Sequence, residues 1–189
     1  VGAEVGAYGG TIRRGHLGTG DTAAWGKFAL GGLARFDTAG TVVIPSIAKG
    51  WEMSTDGRTW TISLRDGARW SDGTPFTSED FRYQHETMAD GVLFPAVRGE
   101  WKSDGELPTL EVVDKYTVRY TWPTPNYTFA TTMAGMDDYA RGRSLYAPAH
   151  TLKPFNPRYA GDEKVAALVS AGGFDSVIDL YVDKSDWRT

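Results

Sequence analysis

Three Asp-Gly pairs, Asp56-Gly57, Asp66-Gly67 and Asp72-Gly73, punctuate the chain between Trp51 and Phe76 and restrict that stretch to hairpins and tight turns. The first pair lies between two segments of strand-like alternation. With Asp56 and Gly57 as a two-residue loop, Met53 faces Trp60 and Trp51 faces Ile62. Trp51, Met53, Trp60, Ile62 and Leu64 then share one face, and Glu52, Ser54, Thr59, Thr61 and Ser63 the other. A slip of one residue would turn the tryptophans into solvent, so hydrophobic pattern and turn chemistry specify the same pairing.

After the third pair the chain reads Pro75-Phe76-Thr77-Ser78-Glu79-Asp80-Phe81. Thr77 is the expected N-cap of a helix and Asp80 its third residue, a capping box, with Phe76 and Phe81 at the two positions of a hydrophobic staple. Glu79 and Asp80 also suit the positive end of the helix dipole. On this reading the aromatic residues here are core, and the acids are caps and turns.

The order of these elements resembles the family 5 extracellular solute-binding proteins, receptors that feed bacterial ABC importers. The likeness rests on Pro45, Ala48, Trp51, Ser54, Asp56-Gly57, Leu64-Arg65, Trp70-Ser71-Asp72-Gly73, Pro75-Phe76-Thr77 and Glu79-Asp80. Weaker echoes are Gly9-Gly10-Thr11, the run Val113 to Val118, and the Pro-rich segment from Ala147 to Tyr159. The resemblance implies an α/β (mixed α+β) fold, the amino-terminal part of a periplasmic-binding-protein-like type II fold with a β-hairpin-rich subdomain. It divides the chain into the start of a ligand-binding lobe (1–40), a hairpin-rich accessory subdomain (41–160) and a helical segment leading towards the remainder (161–189).

Family members are considerably longer than 189 residues and close two lobes on a ligand by hinge motion. The resemblance therefore implies a receptor fragment that captures a peptide or oligosaccharide, with an ABC permease as the membrane partner of the full-length protein. It also implies a periplasmic or cell-surface lipoprotein location. The loop after the opening strand approaches the cleft in this family, which makes Gly20, Asp21, Thr22 and Trp25 the candidate ligand contacts. The Trp-Ser-Asp-Gly form and the aromatic richness tilt the ligand towards peptide or oligosaccharide over a metal complex.

Composition fits this reading. A net charge of −4 and a pI near 5.4 carry no nucleic-acid footprint, and 41% hydrophobic residues suffice for a core. With no cysteine there is neither disulfide nor thiolate metal site. His16, His85 and His150 stand at no metal-ligand spacing, and no phosphate loop or nucleophile elbow occurs, so neither an enzyme nor a cofactor is expected. Asp137-Asp138 reads as an exposed loop.

Elsewhere Gly9 to His16 reads as a strand, Thr22 to Leu30 as a helix capped by Asp21, and Leu33 to Phe36 as a short strand. Tyr116 to Trp122 alternates, with Tyr116, Val118, Tyr120 and Trp122 on one face and Leu110 to Val113 as partner. Asn126 is the expected cap of a helix reaching Met133, and three prolines between Tyr146 and Pro157 predict an extended path with one helical turn. Glu163 to Ala171 reads as a helix stopped by Gly172-Gly173. The alternative function is a stand-alone carbohydrate-binding or adhesion module displaying Trp25 and Trp101, and buried tryptophans would count against it.

Overall fold

The computed structural model describes residues 32–97, 99–135 and 144–186. The expected strand Gly9–His16, the helix from Thr22 to Leu30 and the Asp137-Asp138 loop lie outside the described residues. Two short strands, β1 (Ala34–Phe36) and β2 (Val43–Pro45), form an antiparallel ribbon. β3 (Ala48–Met53) and β4 (Thr59–Leu64) follow, then helix α1 (Ser78–Asp90), then β5 (Thr109–Asp114) and β6 (Thr117–Thr121). The remainder is helical: α2 (Phe129–Ala134), α3 (Ala149–Leu152), α4 (Pro157–Ala160), α5 (Asp162–Gly172) and α6 (Val177–Ser185).

The two hairpins combine into one antiparallel sheet of order β3-β4-β6-β5. The first hairpin has the register its pattern dictates, with Trp51 opposite Ile62 and Met53 opposite Trp60. Its turn differs from the expected two-residue loop. The Gly57 N–H donates to the Ser54 carbonyl at 2.9 Å, Gly57 has φ of 70°, and Asp56 does not share the left-handed conformation that a type I′ turn requires. A four-residue connection results, in which Ser54 Oγ bonds Asp56 at 2.5 Å and accepts the Thr59 N–H at 2.9 Å. Register survives because both loops place Ser54 opposite Thr59.

Trp60, Ile62 and Leu64 of β4 meet Val118 and Tyr120 of β6 on the buried face, with Trp122 just beyond the strand. Phe76, Phe81, Trp101, Phe129 and Met133 complete this core. Trp51 is half-buried against it, and Met53, at the strand's end, is 42% exposed. α1 carries Tyr83 and Met88 into a second core with Leu93, Phe94, Leu152 and Tyr181. Both outer strands are bulged, β3 between Ala48 and Gly50 and β5 between Val112 and Asp114.

Trp101, which only the alternative adhesion module would display, is 2% exposed and packs in the first of these cores. Two sequence expectations are corrected. Asn126 does not cap α2: its N–H donates to Gly57 and its carbonyl accepts from Trp60 Nε1 at 2.9 Å, so its backbone is committed to the first hairpin and Thr128 takes the N-cap position. The Pro-rich segment is helical and not extended, with α3, a 3-10 turn at Lys153–Phe155 and α4 in succession. Pro154 and Pro157 fall in first turns, where a missing N–H costs nothing.

Candidate functional site

Asp80 is where the signature region is tied to the rest of the molecule. Its side chain is buried and accepts from the Thr77 N–H at 2.9 Å, from the Ala149 N–H at 3.1 Å and from Trp70 Nε1 at 3.2 Å. The first of these closes the capping box, and the staple is formed as well, with the Phe76 and Phe81 rings 5.7 Å apart. Burial pushes the Asp80 carboxyl above its ordinary range, against the three hydrogen bonds that favour its charged form. The Trp70-Ser71-Asp72-Gly73 turn is thereby held against α3, where His150 Nε2 lies 2.6 Å from Asp72.

The seam between α1 and the segment from Ala149 to Ala160 continues in charged pairs. Glu79 joins Lys153 at 2.6 Å and also pairs with Arg82, and Glu86 accepts from the Tyr159 hydroxyl at 2.6 Å. Partial burial alone would raise the Glu79 pKa, and the two cations hold it low. Deeper in, Asn156 Nδ2 donates to Thr87 at 2.9 Å, and the Tyr83 and Tyr181 hydroxyls meet at 3.2 Å.

Burial lowers the His85 pKa, against the nearby Glu86 carboxylate, and His85 packs against the Tyr120 ring. Among the described residues no group of three His, Asp or Glu side chains could hold a metal ion. No single described helix is long and apolar enough to cross a membrane.

Two grooves remain. One, of about 340 Å³, is apolar and lies between α5 and α6, lined by Val92, Val165, Val169 and Val177. The other, of about 500 Å³, opens at the bulged end of the sheet among Lys49, Asp66, Asp114 and Lys115. The candidate ligand contacts Gly20, Asp21, Thr22 and Trp25 lie outside the described residues, and the signature motifs build neither groove alone.

A family model for bacterial extracellular solute-binding proteins, family 5 middle region, matches residues 42–173. The periplasmic alpha-galactoside-binding protein of Rhizobium meliloti (strain 1021) is 32% identical over 155 residues, 75% of this chain and 21% of its own length. The periplasmic murein peptide-binding protein MppA of Escherichia coli (strain K12) is 46% identical over 48 residues, 25% of this chain and 9% of its own. Among solved structures, an oligopeptide-binding protein OppA superposes with a TM-score of 0.77 at 32% identity, covering 97% of this chain and 28% of that one. MelB of Agrobacterium fabrum C58, in complex with stachyose, gives 0.53 at 33% identity, over 74% of this chain and 22% of its own. The chain thus spans between about a tenth and just over a quarter of these proteins. From β2 to the end of α5, through both hairpins and the capped helix, the matched region is the fold described above, and the chain belongs to family 5 of the bacterial extracellular solute-binding proteins.

Proposed function

We propose that the chain is part of an extracytoplasmic receptor that captures a peptide or an oligosaccharide and delivers it to an ABC importer. The observation that carries this reading is the family match over residues 42–173, joined to the OppA superposition over 97% of the chain. The receptor is periplasmic or anchored at the cell surface as a lipoprotein, and it binds without chemical turnover. An oligosaccharide is the favoured ligand, because the alpha-galactoside-binding relative aligns over 75% of the chain and MppA over 25%. The stand-alone adhesion module loses its support, since Trp60, Trp101 and Trp122 are buried and offer no stacking surface.

In this reading residues 1–40 begin a ligand-binding lobe, 41–160 form the accessory subdomain and 161–189 lead on to the remainder. Gly20, Asp21, Thr22 and Trp25 contact the ligand, and closure follows from differential contact with two lobes. The test is titration calorimetry on the full-length receptor with stachyose and, separately, with tetra-alanine. Saturable binding of the sugar is expected. Binding of the peptide alone would move the receptor to the peptide class, and binding of neither, across panels of both classes, would overturn the proposal.

A further inference from the structure

Five Asp-Gly pairs occur in the sequence, at Asp56, Asp66, Asp72, Asp90 and Asp104, and all five lie among the described residues. An Asp-Gly bond can rearrange without any enzyme, because glycine sets no side chain beside its own nitrogen. That nitrogen attacks Cγ of the protonated aspartate carboxyl, the new N–Cγ bond replaces the Cγ–OH bond, and the hydroxyl leaves as water with the amide proton. Solvent water then opens the resulting succinimide. Addition at Cγ restores aspartate, whereas addition at the main-chain carbonyl carbon breaks that carbon's bond to nitrogen and leaves the chain running through Cβ and Cγ, an isoaspartate of unchanged mass. The aspartate carboxyl and the glycine N–H must both be free, and each hydrogen bond that has to break first slows the attack by up to about tenfold.

The fold treats the five pairs differently. Asp56 accepts from the Ser54 hydroxyl at 2.5 Å and the Arg58 N–H at 3.1 Å, and the buried Gly57 donates its N–H to the Ser54 carbonyl at 2.9 Å. Asp72 accepts the Thr74 N–H at 2.8 Å and pairs with His150 at 2.6 Å, while the Gly73 N–H donates to the Trp70 carbonyl at 3.0 Å. The Ser54 hydroxyl at Asp56 and the Thr74 N–H at Asp72 are the main causes that hold these carboxyls below their usual range, so the reactive acid form is scarcer there. Asp90, half-buried at the end of α1, accepts the Val92 N–H at 3.0 Å. Asp104 has a free carboxyl, but its turn is closed from both sides, the Ser103 N–H donating to Glu106 at 2.9 Å and the Glu106 N–H to Ser103 at 3.1 Å. Those bonds resist the backbone rotation that brings nitrogen to Cγ.

Asp66 alone combines every freedom. It and Gly67 are exposed, and among the described residues nothing donates to its carboxyl and the Gly67 N–H donates to nothing. One bond spans its turn, from the Ala68 N–H to the Arg65 carbonyl, at 3.3 Å. We propose that Asp66-Gly67 is a site of spontaneous isoaspartate formation in the folded protein, and that the fold protects the other four pairs. The product adds a backbone carbon between Arg65, whose Nε donates to the Ser46 carbonyl at 3.0 Å, and Ala68, whose carbonyl accepts the Phe76 N–H at 2.9 Å. The inference does not depend on the receptor reading.

The test incubates the 189-residue chain at physiological pH and temperature, folded and in guanidinium chloride, and samples it over time. Endoproteinase Asp-N cuts before aspartate and not before isoaspartate, so mass spectrometry reads each conversion as an uncut junction of unchanged mass. In the folded chain the uncut junction at Asp66 should build up at least about tenfold faster than at any other Asp-Gly pair. In the denaturant the five should converge. No conversion at Asp66, equal conversion at Asp56, Asp72, Asp90 or Asp104 in the folded chain, or the same preference for Asp66 in the denaturant would each overturn the proposal.

Discussion

Asp80 shows how much a single side chain organises here, since Thr77, Ala149 and Trp70 all donate to its carboxylate. Asp80→Ala removes the acceptor from two backbone N–H groups and undoes the capping box, at an expected cost of about 2 kcal/mol at pH 7 in urea unfolding. The pH dependence has a definite sign. Burial raises the folded-state pKa above the ordinary 3.8, so the folded chain holds that proton more tightly than the unfolded one. The contribution is full below 3.8 and is lost as pH rises through the raised value. The stability gap between native chain and variant should therefore be wider at about pH 4 than at pH 7, and an unchanged or reversed gap would refute the assignment. Gly57 offers a second test, because a Cβ there would stand 2.4 Å from the ring of Tyr127, which is itself 65% exposed. The exposed ring can swing aside, so Gly57→Ala is expected to cost roughly 1 kcal/mol, the left-handed backbone strain. A cost above about 3 kcal/mol in urea unfolding would mean that the Tyr127 ring is held in place.

Among elements, those governed by neighbours in sequence were legible and those governed by distant partners were not. The β3–β4 register follows from alternation and a turn a few residues away, and the α1 start follows from Thr77, Asp80, Phe76 and Phe81 within one turn. Trp101 sits in a polar stretch whose burial is decided by the sheet it packs on, and Asn126 is claimed by Gly57 and Trp60, more than sixty residues earlier in the chain. α6 has a local signal in the sequence as well, the Ser176-x-x-Asp179 start in which Ser176 Oγ accepts the Asp179 N–H at 3.2 Å. Trp101→Ala should cost about 3–5 kcal/mol, the range for emptying a buried aromatic site. A loss under about 1 kcal/mol by denaturant titration would mean that the ring is solvated in solution.

For the whole molecule, the described residues carry the motif that identifies the family, and the expected ligand contacts Gly20, Asp21, Thr22 and Trp25 lie outside them. In the full-length receptor Trp25→Ala should weaken ligand binding by about tenfold or more with little change in unfolding temperature. Thr77→Ala should do the reverse, costing about 1 kcal/mol of stability and leaving affinity intact. Calorimetry beside thermal unfolding distinguishes the two patterns. The paired edge bulges carry a consequence of another kind. A sheet with straight margins can recruit a further strand from any chain that presents one, and growth of that sort ends in fibres. With both margins kinked, and with Lys49 beside one kink, this four-stranded sheet has a fixed width. Copies of this chain that meet one another therefore find no straight margin along which to add strand to strand.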